Sequence, residues 1–99
     1  MTVAFDEVIE KITVAAGQVE ADGGASPVLV ATVREFQAKL AKAETRGTDG
    51  VPDHDSVIEL EQAGDSAKAA AEADPGLSSD ARESVLAAHL AICKLKAGA

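Results

Sequence analysis

The chain has 99 residues and a formal net charge of −8 at pH 7. That is one domain, 1–99, without the clustered Lys and Arg that phosphate neutralisation needs, so a general nucleic-acid binder is excluded and adsorption to anionic membranes is disfavoured. Alanine supplies 21 residues, Val, Ile, Leu, Met and Phe together supply 24, and Trp and Tyr are absent; so thin a core supply makes burial against a second chain attractive.

The apolar residues recur at helical period, and Gly and Pro clusters cut the chain into four pieces. The first helix is expected over about 3–21, with Phe5, Val8, Ile9, Ile12, Ala15, Ala16 and Val19 as its stripe and Asp22-Gly23-Gly24 as its stop. The second runs over 27–46. Ser26 stands as N-cap with Pro27 in the first helical position, and Leu29, Val33, Phe36, Leu40 and Ala43 follow on one face.

After the turn-rich GTDGVPD, a third helix is expected over 54–73, where Ser56 and Glu59 have capping-box spacing. Its stripe, Val57, Leu60, Gly64, Ala67 and Ala71, offers only Ala and Gly in its second half, which predicts a tapered bundle or a covering partner at that end. The fourth helix is expected over 79–97, with Asp80 and Glu83 as a second possible box. Its inner stripe is Ala81, Val85, Ala88, Ile92 and Leu95, and Lys94 and Lys96 complement the dipole of its last turn. Four helices of matched length with short connections predict an all-α, antiparallel four-helix bundle of up-down-up-down order. The first and third helices are acidic and the other two lean basic, so each acidic helix lies beside a basic one. No internal repeat beyond the helix–turn–helix plan is visible. No apolar run approaches the roughly 18 residues of a membrane span, and the opening MTVAFDEVIEKITV has neither the basic start nor the apolar run of a secretory leader. The single cysteine excludes an internal disulfide and fits a reducing, cytoplasmic setting.

Candidate chemistry is sparse. His89 and Cys93 share a helix face, the spacing of a thiol beside its base or of half a metal site. A zinc site wants three or four protein ligands, and a symmetric dimer is the economical way to supply them. The expected reading is therefore packing: Cys93 a small apolar residue, His89 a boundary residue, and no metal or cofactor. Asp49, Asp53, Asp55, Glu59 and Glu61 form an acidic run, but the EF-hand order of ligands is missing. No Glu-x-x-His pair exists for a di-iron bundle. The glycines of ADGGASP precede a helix start without a Lys or Arg nearby, and read as a turn. Gln37 and Glu44 fall near the apolar face of the second helix, at a bundle edge or an oligomer contact.

The strongest feature is a second apolar stripe on the fourth helix, Leu86, Leu90, Cys93 and Ala97, facing away from Ile92 and Val85. A helix apolar around most of its circumference is covered on more than one side. The cover is either a neighbouring chain or, if this helix sits centrally, helices of its own chain. The expected function is a non-catalytic interaction or assembly module that self-associates or docks on a larger protein assembly through that stripe. Two alternatives stand beside it: a thiol- or metal-responsive sensor using His89 and Cys93, and an acidic decoy presenting third-helix carboxylates to a basic protein. No nucleophile–base–acid constellation marks an enzyme.

Overall fold

A computed structural model of the chain describes residues 5–47 and 51–98. They form four helices: α1 (Phe5–Ala21), α2 (Pro27–Arg46), α3 (His54–Ala73) and α4 (Ser79–Gly98). Each helix packs against its two neighbours in the ring α1–α2–α3–α4, and the diagonal pairs bring no Cα atoms within 8 Å of each other. This is the expected all-α four-helix bundle, and α4 is an ordinary member of the ring rather than a central helix. The molecule measures 38 × 24 × 18 Å, its long axis set by helices of about 30 Å at 1.5 Å per residue.

The core is the set of stripes read from the sequence. Phe36, Ile12, Leu29, Leu60, Ile92, Val8, Val19, Val33 and Val85 are its largest fully buried side chains, each contributing roughly 1.5–3 kcal/mol. Ala43, Ala67, Ala71, Ala81 and Ala88 have no exposed surface, so the helices approach closely where they meet. The small-residue half of α3 is filled from α2. A methyl group on Gly64 would sit 3.2 Å from the Phe36 ring and 3.6 Å from His89, so the missing side chain makes the space that Phe36 occupies.

Helix starts differ in part from their sequence signatures. Ser26 caps α2 as expected, its Oγ accepting from Leu29 N at 3.2 Å. The N-cap of α3 is Asp53, which places Ser56 inside the first turn; the expected Ser56–Glu59 box does not form because Glu59 is drawn to α2. For α4 the capping side chain is Ser78, whose Oγ accepts from Ala81 N at 3.2 Å. Asp80 therefore lies within the helix, in its first turn, and the Asp80–Glu83 box does not form.

One end of the bundle is closed by a reciprocal clasp. Asp22 Oδ1 accepts from Gly24 N within its own loop at 2.9 Å, and its Oδ2 accepts from Ser78 N across the gap at 2.8 Å. Asp74 does the converse: Oδ1 accepts from Gly76 N at 3.0 Å and Oδ2 from Ser26 N at 2.7 Å. The two loops touch backbone to backbone. A Cβ on Gly24 would fall 2.0 Å from the Gly76 carbonyl oxygen, and one on Gly76 would fall 2.6 Å from that of Gly24. Arg82 adds to the closure by donating to the carbonyls of Ala71, Asp74 and Leu77 at the end of α3.

The clasp exposes an internal two-fold relation. Asp22-x-Gly24-x-Ser26 and Asp74-x-Gly76-x-Ser78 are the same pattern 52 positions apart, reading from 22 to 74, and they make the same bonds. At that offset α1 overlies α3 and α2 overlies α4. Buried positions coincide along the whole length: Val8 with Leu60, Ala15 with Ala67, Val19 with Ala71, Leu29 with Ala81, Val33 with Val85, Leu40 with Ile92. The structure thus shows a repeat that the sequence signals only in the two Asp-x-Gly-x-Ser loops, because the matched core positions agree in burial and mostly not in identity.

Two outcomes test this account. Gly17 lies in the middle of α1 with open space around its Cβ position, so Gly17→Ala is expected to raise unfolding stability by about 1 kcal/mol through helix propensity. Gly24→Ala, which drives a methyl group into the Gly76 carbonyl, is expected to lower it by about 1–3 kcal/mol; urea titration of both variants checks this. Backbone N–H donors, those of Ser78 and Gly24 for Asp22 and that of Ser26 first for Asp74, hold both carboxyls below their ordinary range. A depressed folded-state pKa contributes stability above the unfolded value of about 3.9 that is lost as pH falls through the folded value. Thermal midpoints of the parent are therefore expected to drop below about pH 4. In Asp74→Asn an amide NH2 replaces one acceptor oxygen, and the acid-side drop becomes shallower.

Candidate functional site

Ion pairs fasten three of the four helix seams. Between α2 and α3, Glu59 receives Lys39 Nζ and Lys42 Nζ, each at 3.0 Å, with Arg46 at 3.9 Å. The Lys42 and Lys39 hydrogen bonds lower the Glu59 pKa, and Glu59 in turn raises that of Lys39. Between α3 and α4, Lys96 Nζ reaches Glu61 at 2.8 Å, and between α1 and α2, Arg34 reaches Glu20 at 3.7 Å. Among the described residues no ion pair crosses the α1–α4 seam. These are surface pairs and add little stability singly; their value here is that they mark which faces are internally neutralised.

His89 is half-buried against α3, its Nε2 2.6 Å from Asp65 Oδ1. The Cys93 Sγ lies 3.9 Å from His89 Nδ1 and 3.8 Å from Nε2. A sulfur equidistant from both nitrogens rests against the ring and not on either nitrogen's lone-pair axis, so the imidazole is not aligned to take the thiol proton. Burial, with the carboxylates of Glu61 and Asp65, pushes the Cys93 thiol above its ordinary value; the thiolate, the form that attacks electrophiles and binds soft metals, is disfavoured. Among the described residues no three His, Cys, Asp or Glu side chains converge on a point that would hold a metal ion.

Other acidic and polar candidates disperse. Glu59, Glu61 and Glu72 of α3 are each engaged by a lysine of this chain and Asp65 meets His89, while Asp55 in the first turn is exposed. Asp53 sits at the N-cap, its Oδ1 and the Ser56 Oγ shielded from solvent without a bond of good geometry. The nearby Ser56 hydroxyl nonetheless lowers the Asp53 pKa. Asp49 lies outside the described residues. Gln37 and Glu44 are exposed.

The outer face of α4 remains. Leu90 is 53% exposed, Leu86 and Cys93 are half-buried, Ala87 is half-buried and Ala97 is exposed. The four residues Leu86, Leu90, Cys93 and Ala97 are thus brought together on one side of one helix, reaching solvent, and among the described residues no element covers Leu90. Among the described residues the other large exposed apolar side chains, Val14, Val28 and Val51, stand singly on three different segments, which is ordinary for a protein surface. The groove between α1 and α4 beside Leu90 is lined by Glu7, Lys11, Ala87, Leu90, Ala91 and Lys94, with a volume near 250 Å³.

The internal two-fold relation supplies a comparison within the same molecule. On α2 the related positions are Arg34, Ala38, Ala41 and Thr45, all exposed. Where α2 turns Arg34 to solvent, α4 has Leu86; where α2 has Ala38, α4 has Leu90. The twin groove between α2 and α3, near 240 Å³, is lined by Glu35, Lys39, Glu59, Gln62, Ala63 and Ser66 and carries the Glu59 ion cluster. Both halves build the same core, so the apolar outer face of α4 is not a requirement of the bundle. The membership of Ala87 in this surface was missed in the sequence; its spacing of three from Leu90 was the available signal.

The chain matches no protein-family model, no curated protein and no solved structure. No helix among the described residues is long and apolar enough to cross a membrane.

The raised thiol pKa has a direct consequence. At pH 7 Cys93 is expected to react with a disulfide reagent several-fold more slowly in the folded chain than in urea, and to gain reactivity at a higher pH than it does in urea. Asp65→Asn with Glu61→Gln removes two of the charges that disfavour the thiolate and is expected to shift that reactivity profile to lower pH.

Proposed function

We propose that this protein is a non-catalytic helical interaction module that engages another protein surface through the outer face of α4, either in self-association or by docking on a larger assembly. The observation that carries the reading is the contrast between the two halves: α2 presents Arg34, Ala38 and Thr45 where α4 presents Leu86, Leu90 and Ala97. A solvated twin builds the same core, so the apolar excess on α4 serves something outside the bundle. Burying Leu90 and the exposed parts of Leu86 and Cys93 gives the favourable area, at roughly 25 cal/mol per Å², and the remaining acidic surface maintains solubility and selects partners by charge. The thiol- or metal-responsive alternative gains no support from a thiol raised in pKa and set against the ring face of His89. The decoy alternative is weakened by the pairing of Glu59, Glu61 and Glu72 with lysines of the chain itself.

The test is the native size of complexes containing the chain in cell extract, read by size exclusion with immunodetection. Leu86→Asp and Leu90→Asp are expected to collapse any complex to the size of the free 10.0 kDa chain, and Ala38→Asp, the control on α2, is expected to leave it intact. A complex that survives both leucine variants overturns the reading.

A further inference from the structure

We propose that the occupant of the α4 face is a second copy of this chain, paired α4 against α4 in antiparallel orientation along the line Glu83, Ala87, Leu90, Lys94. The proposal rests on the reading of α4 as an interaction face and adds the identity and register of what covers it.

These four residues follow one another at spacings of four, three and four, the spacing that keeps side chains along one seam of a paired helix. In α4 the line lies opposite the buried Ala88 and Ile92, and Glu83, Leu90 and Lys94 are exposed, with Ala87 half-buried. A two-fold interface requires a patch that is complementary to itself. With the axis between positions 88 and 89, Glu83 of one copy meets Lys94 of the other, and Leu90 meets Ala87, each pairing occurring twice. Acid faces base and large faces small at every step. Neither Glu83 nor Lys94 makes an ion pair with a described residue of its own chain, in contrast to Glu59, Glu61 and Lys96. The small Ala87 lets the two backbones approach to about 8–9 Å, with the Leu90 side chain over it.

The related line on α2 is a negative comparison. Ala31, Glu35, Ala38 and Lys42, folded back on themselves in the same register, oppose Ala to Lys and Glu to Ala. Self-complementarity therefore belongs to α4 and is not a by-product of the bundle. A patch for a strongly basic or strongly acidic partner would carry one sign of charge; this one carries both in mirror order. The chain's net charge of −8 repels a second copy at long range, but that field is screened within about 8 Å at physiological ionic strength, which leaves the contact charges to decide. The apolar area is small for an interface, which sets the dimer in the weak, reversible class.

The experiment is sedimentation equilibrium of the purified full chain from about 10 μM to about 1 mM at physiological salt. A monomer–dimer equilibrium is expected. Glu83→Lys alone and Lys94→Glu alone each set like charges together twice and are expected to weaken the dimer by about tenfold. The double variant Glu83→Lys with Lys94→Glu restores the parent value, because the swapped pairs are again opposite. Leu90→Asp abolishes association and Ala38→Asp leaves it unchanged, and circular dichroism checks that all variants keep their helicity. A chain that stays monomeric throughout the range, or a double variant no better than its single parents, overturns the proposal. If the purified chain is monomeric while Leu90→Asp still collapses complexes in extract, the face belongs to a different protein, and only the self-pairing is lost.

Discussion

Everything in this molecule is arranged about the pair of carboxylates at one end of the bundle. Asp22 and Asp74 each hold a backbone N–H of their own loop and one of the opposite loop. Those loops contain the starts of α2 and α4, whose first-turn N–H groups have no partner within the helix. Ser26 and Ser78 supply caps for those starts, and the aspartates fix the Ser26 and Ser78 backbone in place. A carboxylate that accepts N–H donors from two loops is a charge-assisted link of the stronger kind. Its geometry requires Gly24 and Gly76 at the crossing, where no side chain fits between the two carbonyls.

The clasp also explains why the halves are so similar in plan and so different in detail. Once two hairpins are joined by equivalent bonds, the interior is constrained pairwise, and volume exchanged at one position is absorbed at its neighbour. Gly64 stands in α3 where Ile12 stands in α1, and Phe36 stands in α2 where Ala88 stands in α4. In the α2–α3 seam large is set against small, Phe36 over Gly64, and the single core closes. The outer faces carry no such constraint. There α2 carries charged and small residues where α4 carries leucines, and the surface of one half becomes a measure of what the bundle itself requires of the other.

Much of this was legible in the sequence. The four stripes name nearly every core residue because helical periodicity reports burial directly. The ends of α2 and α3 were legible from Pro27 and from Pro75-Gly76, whose backbone limits act locally. Two capping boxes were not: Glu59 and Glu83 stand at the right distance from Ser56 and Asp80, but such a box competes with other partners, and a cluster of Lys39, Lys42 and Arg46 lies within reach of Glu59 in space and not in sequence. The stripe of Leu86, Leu90, Cys93 and Ala97 was legible from its angle alone. Its exposure, and the membership of Ala87, were not, since angular position on a helix does not tell which neighbours flank it.

The amino-acid sequence by itself determined the number, length and order of the helices and their inward faces, because those follow from interactions among residues close along the chain. Tertiary structure alone decided the reciprocal grip of Asp22 and Asp74, the seating of Phe36 on Gly64, the resting of Cys93 against the His89 ring and the exposure of Leu90. Each of these depends on where one helix stands beside another, and that distance is set by the whole interior packing at once rather than by any local pattern.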